Sequence, residues 1–590
     1  MGAEMADAAG YSRRVSSGPP SFPTITALGT VFGLVGGLVG VFVRWVVLLL
    51  KSTVVRVHAK GGPWLALVFF LPLLGAALGS LASRGAPEIK GSGIPELLML
   101  VKLGGGKGVP ARVPLLKAIA TPLHIGLGAA GGVEGPIAQV GGSFASLLGD
   151  RLGLNRRGRT LLVACGMTGG VSATFNAPLG GTFFGVEILY NFSTLLVNTL
   201  VPLALASVVA TTISWLVFGF EPVVSVPQFT FEGMFHLPVY ALLGLLIGLF
   251  GVAWVRFFSS VGETFYRWRR VPATLKPVLG ALPSAVALVF FVDLIDLEHG
   301  TLEGIIGGKY SLPLMSLGLM ALSVAAAAAV GSGGTAGLFS PSLMMGALFG
   351  GIFGLTVNAV SPGFLDDPFK MALVGSAAFF GGMARSPLTN VLLVFELTLN
   401  YGMVLPLMSG VVVSYLVHWR VLGDETLYTT NIMRRYQLPP WFWRRISIRA
   451  TFAEMKVERL MTTRVQLLTL EMTREQVAEC LRTTRFNAFP VVDAEDTRRL
   501  VGTARSVEVH KLVTKGGGVF DLREALSPTN PVIFPNDSAF KALEMFNSFE
   551  VPILVVVDSG DPDKVVGVLS RKDLLLGHLL REESGEKSEY

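Results

Sequence analysis

Cysteine is nearly absent from this chain, with only Cys165 and Cys480 among 590 residues. Two thiols, one in each half of the organisation described below, make neither a disulfide framework nor a metal-ligand pattern. Charge is scarce too. Asp, Glu, Lys and Arg together make up 15% of the residues, against about 25% in an ordinary soluble domain. The seven histidines are scattered, and no Ser/His/Asp, Cys/His or metal cluster is visible, so an enzyme is not expected. The net charge of +7 is modest, and the basic residues gather at the ends of apolar segments, as membrane flanks do. Nothing in that pattern calls for a nucleic-acid partner.

What the chain has in abundance is apolar surface and glycine. Half of it (51%) is hydrophobic and 70 residues are glycine, with a mean hydropathy of +0.59. That is too apolar for a soluble protein, and the length is too great for one domain. So many glycines suggest closely packed, interrupted membrane helices. Residues 1–24 are polar and carry Arg13 and Arg14 without a signal-peptide pattern, which predicts a cytoplasmic N-terminal segment. A membrane domain is expected over 25–436. One series of apolar stretches covers 25–218 and a second covers 239–420, with a last helix at 424–436. The short apolar piece that follows 90–96 and ends at Leu103 cannot span, because a crossing helix needs roughly 20 residues, and it reads as a half-helix entered through a glycine-rich turn.

The two series read as copies of one unit. Gly132, Pro136 and Gly141 recur as Gly337, Pro341 and Gly346, each at a shift of 205 (337 minus 132, and so on). Gly166, Pro178-Leu179 and Glu187 recur as Gly375, Pro387-Leu388 and Glu396, each at a shift of 209 (375 minus 166, and so on). Duplicated halves with broken helices meeting at mid-membrane are a transporter architecture. Beyond 420 the composition changes. An aromatic and basic belt at 441–445 lies in a linker over 437–455. Two similar soluble units of about sixty residues follow at 456–515 and 516–582, then a tail at 583–590. Each unit reads as a short strand, a helix, two Val-rich strands and a closing helix.

The most informative stretch is 131–142. Here a carboxylate, Glu134, stands in apolar sequence ahead of Pro136, a residue suited to the first turn of a helix. Free N–H groups and the positive dipole end at such a start favour negative charge. Glu134 is therefore either a helix cap or a group that contends with a bound anion, and a charge inside a membrane favours the second reading.

Gly91-Ser92-Gly93-Ile94-Pro95, Gly132-Val133-Glu134-Gly135-Pro136 and Gly337-Leu338-Phe339-Ser340-Pro341 resemble the three signature motifs of the CLC chloride channel and transporter family. Phe175-Asn176-Ala177-Pro178-Leu179 is a further hallmark, and the two C-terminal units are similar to a CBS-domain pair. The resemblance implies an all-α polytopic fold of about eighteen broken helices in two inverted repeats, plus an α/β cytoplasmic CBS pair. It implies a homodimer with one chloride pathway per subunit, in a prokaryotic inner membrane. It assigns chloride to the Ser92 hydroxyl, the N–H groups of Leu338 and Phe339, and the hydroxyl of Tyr428. It makes Glu134 the external gate, and it makes Lys117 a source of positive potential near the pore. Each residue also has a plainer reading: a turn serine for Ser92, ordinary packing for Leu338 and Phe339, an interfacial anchor for Tyr428, and a helix-end lysine reaching for the membrane surface for Lys117.

Two positions depart from the family pattern. Val133 stands where relatives usually have Arg or Lys. Ile188 follows Glu187 where proton-coupled relatives carry a second acid, and an isoleucine cannot relay a proton. The sequence thus leans toward a gated chloride channel, with chloride/proton antiport without the usual internal acid as the alternative. Ser92 rather than Pro suggests chloride over nitrate. In the CBS pair, Ser570 and Asp573 match the family's contacts to the phosphate and ribose of an adenine nucleotide. The first unit has Arg505 and Glu508 at the corresponding places.

Overall fold

A computed structural model describes residues 22–435 and 455–574, apart from 103–104, 191–196, 220–223, 225, 228, 230–232, 293–299, 424, 485, 495–497, 516–519, 550 and 571–572. The chain separates into two compact units, 1–442 and 443–590. The belt at 441–445, nearly all of the linker and of the N-terminal segment, the second closing helix beyond 574 and the tail lie outside the described residues.

Among the described residues, eighteen α-helices make up the first unit. The first repeat holds α1 (Phe22–Ala59), α2 (Trp64–Gly85), α3 (Ile94–Lys102), α4 (Arg112–Gly126), α5 (Glu134–Arg151), α6 (Arg156–Phe175), α7 (Pro178–Gly185) and α8 (Val197–Phe218). The second holds α9 (Leu237–Arg267), α10 (Lys276–Gly280), α11 (Leu282–Phe290), α12 (Gly300–Ile306), α13 (Leu312–Gly331), α14 (Phe339–Val360), α15 (Lys370–Met383), α16 (Pro387–Thr398) and α17 (Val404–Leu422), followed by α18 (Leu427–Arg435). Among the described residues, seven segments are long and apolar enough to cross a membrane. The 38 residues of α1 reach about 57 Å at 1.5 Å per residue, well over the roughly 30 Å hydrocarbon layer, so α1 tilts or projects. Others are half-helices, such as α3 with nine residues and α7 with eight.

The breaks follow from local chemistry. Prolines open α7 and α16, where a missing N–H breaks no helical bond. Within the first series, α7 is short because it passes into a wider, π-type turn at Val186–Tyr190. In the second series, Ala281 separates α10 from α11.

The duplication read from the sequence has physical counterparts. A Cβ on Gly141 would strike the carbonyl oxygen of Gly166, and the reverse also holds. Gly346 and Gly375 stand in the same relation. The pairs α5/α6 and α14/α15 therefore cross backbone against backbone, which only glycine allows. Asn176 and Arg385, 209 positions apart (385 minus 176), both lie at φ 55° in the turns before α7 and α16. The two conserved-shift glutamates cap each other's repeat. Glu187 accepts from the N–H groups of Leu388 and Thr389, at 2.9 and 2.8 Å. Glu396 accepts from those of Leu179 and Gly180, at 2.8 and 2.7 Å. Each carboxylate thus satisfies orphan donors at the start of the other half's helix.

The C-terminal unit holds two three-stranded sheets of one topology. Strands β1 (Leu468–Thr469), β2 (Ala488–Val492) and β3 (Leu500–Arg505) form the first, with β1 parallel to β2 and β2 antiparallel to β3. Strands β4 (Val532–Ile533), β5 (Ile553–Val557) and β6 (Val565–Ser570) repeat it. Helices α19 (Arg474–Thr483) and α20 (Ser506–Thr514) accompany the first sheet, and α21 (Ala539–Phe549) the second. Thr473 and Gln476 close a capping box on α19. The chain's entry at 455–462 packs with the second sheet. Val457 donates to the Asp537 carbonyl at 2.9 Å and Thr462 to that of Val568 at 2.8 Å, and Met455 and Val457 join the second core.

Candidate functional site

The three glycine-proline motifs are far apart in sequence and meet in space. Gly132 and Gly337 form an antiparallel bridge. The Gly132 N–H donates to the Gly337 carbonyl at 2.9 Å, and the return bond is 2.6 Å. The Gly91 N–H donates to the Gly334 carbonyl at 3.1 Å. Gly93 takes φ 90°, with its Cβ position 2.8 Å from Gln139 and 2.9 Å from the Gly135 carbonyl oxygen, so a side chain there would collide with the first turn of α5. The starts of α3, α5 and α14 are thereby gathered at one place. Their first N–H groups have no acceptor within their own helices, and each helix brings the positive end of its dipole. Ser92, Glu134 and Phe339 stand at these starts, each only 3% exposed.

Glu134 is folded back over the glycine bridge. Its Oε1 accepts a hydrogen bond from the Ser340 hydroxyl in the first turn of α14. Its Oε2 crowds the place that a Cβ on Gly132 would take, beside the first turn of α14. The gate candidate of the first repeat is thus held by a hydroxyl of the second. By the shift of 205, Glu134 corresponds to Phe339 (339 minus 134), so the duplication puts a carboxylate on one side and an aromatic ring on the other.

Phe339 continues a chain of rings. Its centroid is 4.7 Å from that of Phe175 and 4.1 Å from that of Phe380, and Phe380 stands edge-on to Tyr428 at 6.5 Å. Tyr428 is 5% exposed, and α18, which carries it, packs against α3. It lies inside the fold.

Lys117 is fully buried and does not reach for a membrane surface. Its Nζ donates to the carbonyl oxygens of Ile89 and Gly91, both at 2.7 Å. The ammonium ties down the turn that leads into Ser92. Ile188 is buried in the wide turn after α7, next to Glu187, whose two oxygens are taken by the start of α16.

Three residues beside Glu134 escaped the sequence reading. Ser340 sits inside a quoted motif, but nothing in the sequence shows that its hydroxyl turns to the other repeat. Arg44 and Lys51 of α1 line a pocket with Val133, Glu134, Thr174 and Ser340. A signal for them existed. Arg44 and Lys51, seven residues apart, lie two turns along one face of a largely apolar helix, well before the basic last turn with Arg56 and His58, and intramembrane charge is seldom idle.

In the C-terminal unit, Ser570 and Asp573 bond to each other. Asp573 Oδ2 accepts from the Ser570 N–H at 2.8 Å and from its hydroxyl at 2.7 Å, and the Asp573 N–H donates to Ser570 Oγ at 3.2 Å. Glu508 pairs with Lys511 at 2.9 Å.

A family profile described as Voltage gated chloride channel matches residues 74–418, and the CBS domain profile matches 457–509 and 522–577. The chain is 28% identical over 447 residues to a protein named H(+)/Cl(-) exchange transporter ClcA in Vibrio campbellii, covering 72% of this chain and 93% of that one. It is 29% identical over 391 residues to a "Putative chloride channel protein ClcB-like" of Ralstonia nicotianae, covering 65% and 90%. Among solved structures, a slow cyanobacterial Cl-/H+ antiporter matches with a TM-score of 0.63 and 25% identity, over 70% of this chain and 98% of that one. A eukaryotic CLC transporter shares the fold at TM-score 0.58 and 20% identity, over 93% and 97%.

Proposed function

The chain belongs to the voltage-gated chloride channel (CLC) family, and on that premise we propose that it exchanges chloride for protons across a membrane. The first expectation, a passive gated channel, rested on Ile188. The exchanger names carried by the ClcA relative and by the cyanobacterial neighbour favour the alternative. One relative is named a putative channel, so the reading rests on the site and not on names alone.

The observation that carries it is the Glu134 carboxylate, held between the starts of α5 and α14 by Ser340. A dehydrated chloride needs partial positive charge, because full charges would hold it too tightly for turnover. In this reading the Ser92 hydroxyl, the Leu338 and Phe339 N–H groups and the Tyr428 hydroxyl hold the ion. The carboxylate contends for the adjoining place. Protonated or displaced, it swings out and chloride passes; the proton it carries makes the coupling. Lys117 serves by fixing the Ser92 turn through two carbonyls. Glu187 is a structural cap, so protons reach Glu134 by water and not by a second acid. The paired assembly, the cytoplasmic face of the C-terminal units, the prokaryotic inner membrane and an adenine nucleotide on Ser570 and Asp573 belong to this proposal on the family resemblance. Vesicles holding the purified protein, read with a pH electrode while a chloride gradient is imposed, test it. Steady proton movement against its own gradient is the expected result, and chloride flux with no linked protons rejects exchange.

A further inference from the structure

We propose that Arg44 and Lys51 form an anion-capture site in front of the gate, taking chloride from water before it meets Glu134. The proposal rests on the chloride-transport reading and adds to it residues from a helix that carries none of the three motifs.

The pocket above Glu134 has two cationic walls, and both come from α1. Its floor is the Gly131–Glu134 segment with Ser340, and Val133 lines it without charge. The motif itself thus brings an apolar side chain to the mouth, while α1 brings two positive ones. Arg44 is set in place: its guanidinium lies 4.4 Å from the centroid of the Phe218 ring on α8. A planar, permanently charged guanidinium on an aromatic face keeps its charge aimed with little freedom to lose. Seven residues on, Lys51 faces the same space as a compact point charge. Neither cation belongs to the starts of α3, α5 and α14, where partial charges would hold the ion. The division suits turnover. Full charges stand outside, where they concentrate a hydrated halide, and dipoles stand inside, where a full charge would trap it. With Glu134 ionised the pocket still carries two cations against one carboxylate, and charged clefts raise local counter-ion concentration and on-rates by roughly 10- to 1,000-fold, an effect that salt screens.

The ligand class is a small monovalent anion. The experiment measures chloride flux from proteoliposomes as a function of chloride, at fixed low ionic strength with an impermeant anion as replacement. In Arg44→Gln/Lys51→Gln the half-saturating chloride is expected to rise about tenfold, at the low end of that electrostatic range, with a much smaller change in flux at saturation. Adding Val133→Arg returns a cation to the same pocket and is expected to restore the low-chloride flux. Arg44→Lys separates charge from stacking and is expected to behave nearly as the parent. An unchanged half-saturating chloride in the double variant overturns the proposal, as does a shift that Val133→Arg fails to reverse. Failure of exchange reads differently: chloride flux stays intact with no linked protons, and the capture site is still measured. If the parent passes no chloride, crystals grown in bromide decide. An anomalous peak beside Arg44 and Lys51 supports the site, and its absence refutes it.

Discussion

Replacing Ser340 with alanine isolates the contest between carboxylate and chloride. In the structure the Ser340 hydroxyl donates to Glu134 Oε1. A hydrogen bond to a charged group contributes about 1.5–3 kcal/mol. At about 1.36 kcal/mol per decade, its loss weakens the carboxylate's hold on the inner position by roughly ten- to a hundredfold. Chloride contends for that position, so the loss appears as easier entry. The half-saturating chloride for Ser340→Ala should fall by up to that factor, and flux at low chloride should rise. Ser340→Thr keeps the hydroxyl and should track the parent. The assay is chloride efflux from proteoliposomes over a wide chloride range at one pH. Removing one hydroxyl creates only a small cavity in a half-buried site, so a folding defect does not mimic the result. A higher half-saturating concentration in Ser340→Ala would refute the reasoning, because it would mean that the hydroxyl holds chloride and not the gate.

The other predictions address separate parts of the account. Glu187→Ala removes two charge-assisted bonds to the start of α16, one buried and one part-buried, and should destabilise the membrane unit by about 3–6 kcal/mol, read as a large loss of thermal stability in detergent; Glu187→Gln should lose less. Ile188→Glu supplies the absent second acid and should raise proton turnover if water delivery is slow; unchanged proton flux would show that this step does not limit exchange. Ser570→Ala and Asp573→Ala should each abolish adenine nucleotide binding by the full chain in calorimetry, if that site binds one, while chloride flux without nucleotide stays at the parent's level.

Much of the membrane architecture was legible because interrupted helices leave marks in sequence. Pro178 and Pro387 open α7 and α16, and the shifts of 205 and 209 turn out to be physical pairings: Gly141 on Gly166, Gly346 on Gly375, and the crossed caps of Glu187 and Glu396. Residues that close a helix start or permit a close crossing cannot be replaced without loss, so they repeat. The partners that escaped are those chosen by tertiary contact. Ser340 turns to Glu134 across the repeat boundary, and no spacing rule connects positions 206 residues apart. For Lys117 the sequence leaves a source of pore potential and a snorkelling helix-end residue side by side, because it does not say that two carbonyls wait for the ammonium inside the fold. Tyr428 looked equally at home at an interface, and its burial beside Phe380 is a tertiary fact that the sequence does not carry. Ile188 carries less than it first suggests. A missing acid shows that one proton route is closed, and it says nothing about water.

The most direct measurement is the proton-to-chloride ratio of the parent protein and of Glu134→Gln in the same reconstituted membranes. The account predicts a fixed, non-zero ratio for the parent. For Glu134→Gln it predicts chloride flux without protons and without pH dependence. A variant that still drives protons uphill, or keeps the parent's response to pH, contradicts it, because another group would then be doing what Glu134 is held in place to do.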